Sequence, residues 1–203
     1  MPGSAWVNER KNEFYYRKAK SENLRSRASF KLLQAVKKYP FIKPGYVVVD
    51  LGAAPGGWTL AALRLVKDSG FVLAVDLKNI SPFEAPNALA VVGDVTQKET
   101  IYKILQLLPH DPDVVISDVA PNVSGIWELD HARQIDLATQ SLNIAISLLR
   151  PGGNFFVKIF QGSMTNNFIK KVKRHFSFVK MVKPKASRSK SAEMYVLGMN
   201  FRK

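Results

Sequence analysis

Between residues 46 and 201 the chain alternates short apolar runs with longer segments of helical period. YVVVDL (46–51) is a continuous apolar run ending in Asp, the pattern of a strand buried on both faces of a parallel sheet. FVLAVDL (71–77), ALAVVGD (88–94), DVVISD (113–118) and NFFVKIF (154–160) repeat it. Residues 58–67, 96–108 and 136–149 carry apolar side chains at helical spacing; Pro109 stops the second of these segments and PGG (151–153) the third. Residues 23–39 predict a helix ahead of the first strand, with Ser29 and Lys31 near its start or middle. Residues 166–175 predict a basic helix, and SFVKMV (177–182) and MYVLGMNF (194–201) two final strands. This alternation predicts an α/β fold, a mostly parallel sheet with helices on both faces. No internal repeat and no second domain is visible. Residues 1–22, charged and aromatic without a clear period, read as a basic N-terminal arm, and 23–203 as a single domain.

Composition narrows the class. At 203 residues and 46% hydrophobic content, the chain is long enough for one sizeable core. No run of about 18 uncharged apolar residues predicts a membrane helix, and the charged N-terminus does not resemble a secretion signal. A cytoplasmic location is therefore expected. The absence of cysteine removes disulfides, thiolate metal sites and cysteine nucleophiles. His110, His131 and His175 have no metal-ligand spacing.

Charge changes the picture more. The net charge of +14 is segregated: residues 1–43 carry 11 basic and 3 acidic side chains, 44–167 carry 8 and 12, and 168–203 carry 11 and 1. Two basic ends flanking a slightly acidic middle predict a polyanionic partner, nucleic acid before others. Candidate phosphate contacts are Arg10, Lys11, Arg17, Lys18, Lys20, Arg25 and Arg27 at one end. At the other are Lys170, Lys171, Lys173, Arg174, Lys183, Lys185, Arg188 and Lys190. Phe14, Tyr15 and Tyr16 either stack on unpaired bases or join the core.

The strongest local motif is VVDLGAAPGGW (48–58), a strand, a glycine-rich turn and the start of a helix. It matches neither G-x-x-x-x-G-K-[ST] nor G-x-G-x-x-G, and it carries no basic residue for a phosphate. Asp76, at the end of the second strand, is placed to accept hydrogen bonds from ribose hydroxyls. Asp94, after the third strand, is placed to accept from an exocyclic adenine amine, or else to cap the next helix. Together these point to a nucleoside cofactor without a pyrophosphate, S-adenosylmethionine. A glycine turn that serves only packing is the alternative.

Five blocks in order then carry a resemblance: LRSRASFKL (24–32), VVDLGAAPGGW (48–58), SDVAPNVSG (117–125), PGGNFFVKIFQG (151–162) and KASRSKSAEMYVLG (185–198). They resemble the FtsJ/RrmJ family of S-adenosylmethionine-dependent RNA ribose 2′-O-methyltransferases over nearly the whole chain. The resemblance implies a Rossmann-like seven-stranded sheet whose last strand is antiparallel. It implies a Lys-Asp-Lys-Glu catalytic set at Lys31, Asp118, Lys158 and Glu193, with Gly56, Trp58, Asp76, Asp94 and Asp118 lining the cofactor site. The product would be S-adenosylhomocysteine, and no metal is needed because the sulfonium already activates the methyl group.

The reaction implied is attack of a ribose 2′-hydroxyl on that methyl, so DNA is excluded as substrate. The protein must align the reacting atoms and manage the hydroxyl proton. Lys158 is the candidate for the proton, as a base or, kept protonated, by steering a hydroxyl lone pair. Asp118 is expected to orient Lys158; Lys31 and Glu193 are expected to position the ribose. Compact family members of this length resemble the enzyme that methylates a uridine of 23S (large-subunit) ribosomal RNA, so the large ribosomal subunit or its rRNA is the expected partner and a monomer the expected state. A tRNA ribose methyltransferase, a non-catalytic ribosome-assembly factor that binds RNA, and a small-molecule methyltransferase are the alternatives.

Overall fold

The computed structural model describes residues 14–95, 97–188 and 191–203. Of the positions singled out above, Arg10, Lys11 and Lys190 lie outside the described residues, as does Thr96, the expected start of the second helical segment. Residues 14–21 are helical (α1). There follow α2 (Ser29–Lys38), β1 (Val47–Leu51), α3 (Gly57–Val66), β2 (Phe71–Asp76), β3 (Ala88–Val92), α4 (Lys98–Leu107) and β4 (Val114–Ser117). Then come α5 (Trp127–Leu148), β5 (Asn154–Phe160), α6 (Thr165–His175), β6 (Phe176–Val182) and β7 (Glu193–Phe201).

The seven strands form one sheet in the order β3-β2-β1-β4-β5-β7-β6. Its first five strands pair parallel. β7 is inserted antiparallel between β5 and β6, as the family resemblance implies. β1 is buried along its whole length because both faces of the sheet are covered. Its side chains alternate between two cores. Val49 and Leu51 join Ile104 of α4, Leu142 of α5 and Phe168 of α6 on one face. Val48 joins Leu32 of α2 and Trp58 of α3 on the other. No helix among the described residues is long and apolar enough to cross a membrane.

Two helix boundaries differ from the sequence reading by several residues. α5 begins at Trp127, nine residues earlier than the periodicity of 136–149 indicates. Its first turns lie at the sheet's carboxyl edge with Ile126, Trp127 and Leu129 exposed, so the apolar period is broken there although the helix continues. The helix expected over 23–39 is confined to Ser29–Lys38, and residues 22–28 form turns that lead the chain to the sheet. The described part of the basic arm is docked: Ala19, with Leu24 just beyond the arm, is buried against Phe30 and against Ala186 from the other end of the chain.

At the amino edge of the sheet Asp113 ties three strands together. Its Oδ2 accepts the Val47 N–H at 2.8 Å and its Oδ1 accepts Arg150 Nε at 2.6 Å. Its own backbone bonds to Val47 and Asn154. Asp113→Ala would leave a buried N–H without an acceptor, a loss of about 2 kcal/mol. Urea unfolding should show that loss, Asp113→Asn should recover part of it, and activity at the opposite edge should be unchanged.

Candidate functional site

The carboxyl edge of the sheet carries a cavity of about 640 Å³, in the size range of small-ligand sites, lined among others by Gly52, Ala54, Asp76, Asp94, Asp118 and Arg133. A smaller recess adjoins it and shares Gly52, Ala54 and Asp118; Ser26, Ala28 and Trp58 complete it. Gly52 makes the junction of the two spaces possible. Its φ is +73°, and a Cβ there would lie 2.2 Å from the Val119 side chain, so the β1–α3 turn can meet the segment after β4 only without a side chain.

Asp76 lines the cavity with its carboxylate held on both sides, Oδ2 by the Ala54 N–H at 2.9 Å and Oδ1 by the Lys78 N–H at 2.8 Å. Each oxygen keeps a lone pair for a ligand hydroxyl. Asp94 lines the same cavity. It is not the cap of α4, which begins after Gln97, although its carbonyl accepts the Gln97 N–H at 2.9 Å. Trp58 borders only the smaller recess and belongs mainly to the core. Its Nε1 donates to the Ala28 carbonyl at 2.9 Å, and its ring stacks on Phe156 at 5.6 Å. Gly56 lines neither space; it faces Arg25 and Phe83.

Lys31, Asp118, Lys158 and Glu193 come together from four elements. Lys31 lies on α2, Lys158 on β5 and Glu193 at the start of β7, while Asp118 directly follows β4. Lys31 Nζ lies 2.7 and 2.8 Å from the two Glu193 carboxylate oxygens. Lys158 Nζ lies 3.1 Å from Asp118 Oδ1 and donates to the Asp118 backbone carbonyl at 2.5 Å. Burial raises the Glu193 carboxyl, but the Lys31 ammonium, the Ser187 hydroxyl and more distantly Lys158 outweigh it and hold the group below its usual range.

Tyr195, absent from the sequence reading, joins the two pairs. It faces Lys158 across the β5–β7 ladder, and its hydroxyl donates to Asp118 Oδ1 at 2.9 Å. Its ring is clamped by Phe156 at 5.0 Å and Trp58 at 5.6 Å. Burial, followed by the Asp118 and Glu193 carboxylates, holds its phenol well above its usual range, so it stays a donor. The signal was present in SAEMY: in a strand, residues 193 and 195 share a face. Ser187 and Gln134 were also missed. Ser187 Oγ donates to Glu193 Oε1 at 2.9 Å, and Gln134 Nε2 bridges the carbonyls of Val119 and Lys158 at 3.1 and 3.0 Å.

Part of each basic end meets here, because α1, the start of α2 and the segment at Ala186 share one small core, whereas Lys170, Lys171, Lys173 and Arg174 lie on α6, which packs on the other face of the sheet. Lys20, Lys185 and Arg188 are exposed around that small core. Arg25 departs from its expected role. Its guanidinium stacks on Phe83 at 4.6 Å and donates to the carbonyls of Pro55, Ser81 and Pro82. It fastens the β1–α3 turn to the β2–β3 connection rather than facing outward. Tyr15 packs against Phe30 and accepts from Gln34, while Phe14 and Tyr16 are exposed.

A family model described as FtsJ-like methyltransferase matches residues 24–201. The ribosomal RNA large subunit methyltransferase E of Methanococcus aeolicus is 51% identical over 196 residues, covering 97% of this chain and 73% of its own. The protein of the same name from Methanothermobacter thermautotrophicus is 49% identical over 200 residues, covering 98% and 95%. Among solved structures, one from Plasmodium falciparum assigned as a ribosomal RNA methyltransferase superposes with a TM-score of 0.79 at 29% identity, covering 87% of this chain and 98% of that one.

Beneath the cavity, Asp50 of β1 is fully buried. Thr59 Oγ1 donates to its Oδ2 at 2.7 Å, and its Oδ1 has no partner among the described residues. Burial pushes its carboxyl from 3.8 up to about 7; the Thr59 bond opposes the shift, and Asp118 and Asp76 add to it. The folded state therefore holds this proton more tightly than the unfolded chain. The stability it contributes is full below about pH 4 and is lost as pH rises to about 7. Asp50→Asn should abolish that component. Urea midpoints measured across this range should show wild type losing stability relative to the variant as pH rises.

Proposed function

The chain belongs to the FtsJ-like methyltransferase family, and on that premise we propose that it methylates the 2′-hydroxyl of a ribose, that of a uridine in large-subunit ribosomal RNA. The observation that carries this reading is the pair of ion pairs joined by Tyr195, set beside a nucleoside-sized cavity, with basic segments around Lys20 and Lys185 docked together next to them. The relatives' names support the ribosomal substrate. The reading takes the enzyme to be a cytoplasmic monomer acting on the large ribosomal subunit or its RNA.

The cavity residues fit S-adenosylmethionine. Asp76 offers a backbone-anchored carboxylate to ribose hydroxyls, Asp94 an acceptor for an adenine amine, and Asp118 borders both lobes. When bound, S-adenosylmethionine supplies a methyl group on a positively charged sulfur. Lys158 handles the proton of the ribose hydroxyl. An amine nitrogen has three positions besides its carbon, and Asp118 takes two of them with its carbonyl and carboxylate. The third position is left for the hydroxyl. As a lone pair it removes the proton; as an N–H it turns a hydroxyl lone pair toward the methyl. Tyr195 fixes the Asp118 carboxylate so that this third position keeps its direction. Lys31 and Glu193 neutralise each other beside the ribose site and offer it one donor and one acceptor. Basic side chains at the mouth hold the RNA backbone, so affinity should fall steeply with salt.

The test is transfer of labelled methyl from S-adenosylmethionine to unmethylated large subunits and, in parallel, to tRNA, with products mapped by alkali resistance. Label at one alkali-resistant site in the subunits is expected, and Lys158→Ala should lower kcat at least a thousand-fold while leaving S-adenosylmethionine binding intact. Label in tRNA alone would replace the substrate; label in neither would overturn the reading. Tyr195→Phe keeps the ring and removes one hydrogen bond to a carboxylate. It should cost about ten- to a hundred-fold in kcat, displace the pH–rate profile, and leave the melting temperature within a few degrees of wild type.

A further inference from the structure

The rim on the other side of the β5 terminus has no part in the steps above. Where the β4–α5 segment and the first turn of α5 meet the end of β5, the chain exposes Val123, Ile126, Leu129 and Met164 around Trp127, which is 44% exposed. This indole is not a loose surface side chain. It lies nearly parallel to the His131 ring (5.9 Å, 14°) and to Phe160 (6.3 Å, 25°). Its surroundings are pinned as well. His131 Nε2 accepts the Met164 N–H at 3.0 Å, and the buried Asp130 carboxylate accepts from Ser124 N, Ser124 Oγ and Gly125 N at 2.8, 2.7 and 3.1 Å. Those bonds hold the Asp130 carboxyl below its usual range.

Phe160 connects this rim to the reacting groups. It is the β5 partner of Glu193 and stands two residues beyond Lys158, on the same side of the strand. Trp127 is thus one aromatic contact from the tetrad. An RNA whose ribose reaches Lys158 brings its neighbouring nucleotides to this rim. Proteins that read unpaired RNA stack its bases on aromatic side chains, and a preset indole accepts a base without first being ordered.

We propose that Trp127 is a stacking platform for an unpaired base next to the methylated nucleotide, with Phe160 and His131 holding the indole in place. This rests on the RNA methyltransferase reading above. A second copy of the chain is the competing occupant. Continuity with the tetrad and the exposed Lys170 and Lys171 on the helix that follows favour RNA.

The test compares wild type, Trp127→Leu and Trp127→Phe, as full chains, for binding a single-stranded oligoribonucleotide and an abasic ribose-phosphate oligomer of the same length. Trp127→Leu should weaken binding to the oligoribonucleotide about ten-fold, leave the abasic oligomer and the salt slope unchanged, and leave S-adenosylmethionine affinity unchanged. Trp127→Phe should restore most of the loss. In methyl transfer, KM for RNA should rise and KM for S-adenosylmethionine should not. Equal binding of both oligomers by wild type and Trp127→Leu would overturn the proposal. So would an equal loss on both oligomers, or a wild-type dimer that Trp127→Leu dissociates. Base-dependent binding by a wild type that methylates no RNA would keep the platform and overturn the proposed function instead.

Discussion

The pairing of Lys158 with Tyr195 across the β5–β7 ladder is the contact on which the site depends. β7 is the one strand that runs against the rest, and its antiparallel register brings its first residues to the carboxyl edge, where the parallel strands end. Glu193 and Tyr195 therefore arrive beside Lys158 and Asp118 from the opposite chain direction. A one-residue slip of β7 would turn both side chains to the far face. The aromatic stack of Phe156, Tyr195 and Trp58 lies beneath this pairing and resists such a slip. The same rings that fill the core between the sheet and α2–α3 therefore also hold the register of the reacting groups.

That arrangement carries an electrostatic cost. Four ionisable groups sit with little exposure in one region, and removing each from water is unfavourable unless every charge is matched. The matching is close to complete. Lys31 has Glu193, Lys158 has Asp118, and the Tyr195 hydroxyl and Ser187 fill carboxylate lone pairs. A network this satisfied has few alternative geometries, which is the property an alignment-controlled reaction requires. Asp50 differs. Its burial, with one oxygen unpartnered among the described residues, is the main cause of its raised carboxyl, and the neighbouring Asp118 and Asp76 carboxylates add to it.

Much of this was legible in the sequence because strands buried on both faces leave continuous apolar runs, and because Lys31, Asp118, Lys158 and Glu193 sit in ordered blocks. What was hidden depends on tertiary placement. The start of α5 has no apolar period because its residues lie at the rim. Arg25 counts as a surface charge in sequence, yet three backbone carbonyls from distant turns capture it. Tyr195 reads as an ordinary strand aromatic until its cross-strand partner is known. Trp58, which the resemblance places at the cofactor site, borders the smaller recess, and its indole also supports the stack under Tyr195, a role that only its tertiary neighbours reveal.

The two halves of the site are not independent. Asp118 borders both lobes of the cavity and also accepts from Lys158 and Tyr195. Arg25 bonds to the Pro55 carbonyl of the cofactor turn from a segment that also carries Arg27 and leads directly into the helix bearing Lys31. A shift of the β1–α3 turn would therefore be felt at the base of α2, the helix that carries Lys31 of the Lys31–Glu193 pair. One guanidinium and one carboxylate thus join the two halves of the candidate site, Arg25 from the segment before α2 and Asp118 from the end of β4.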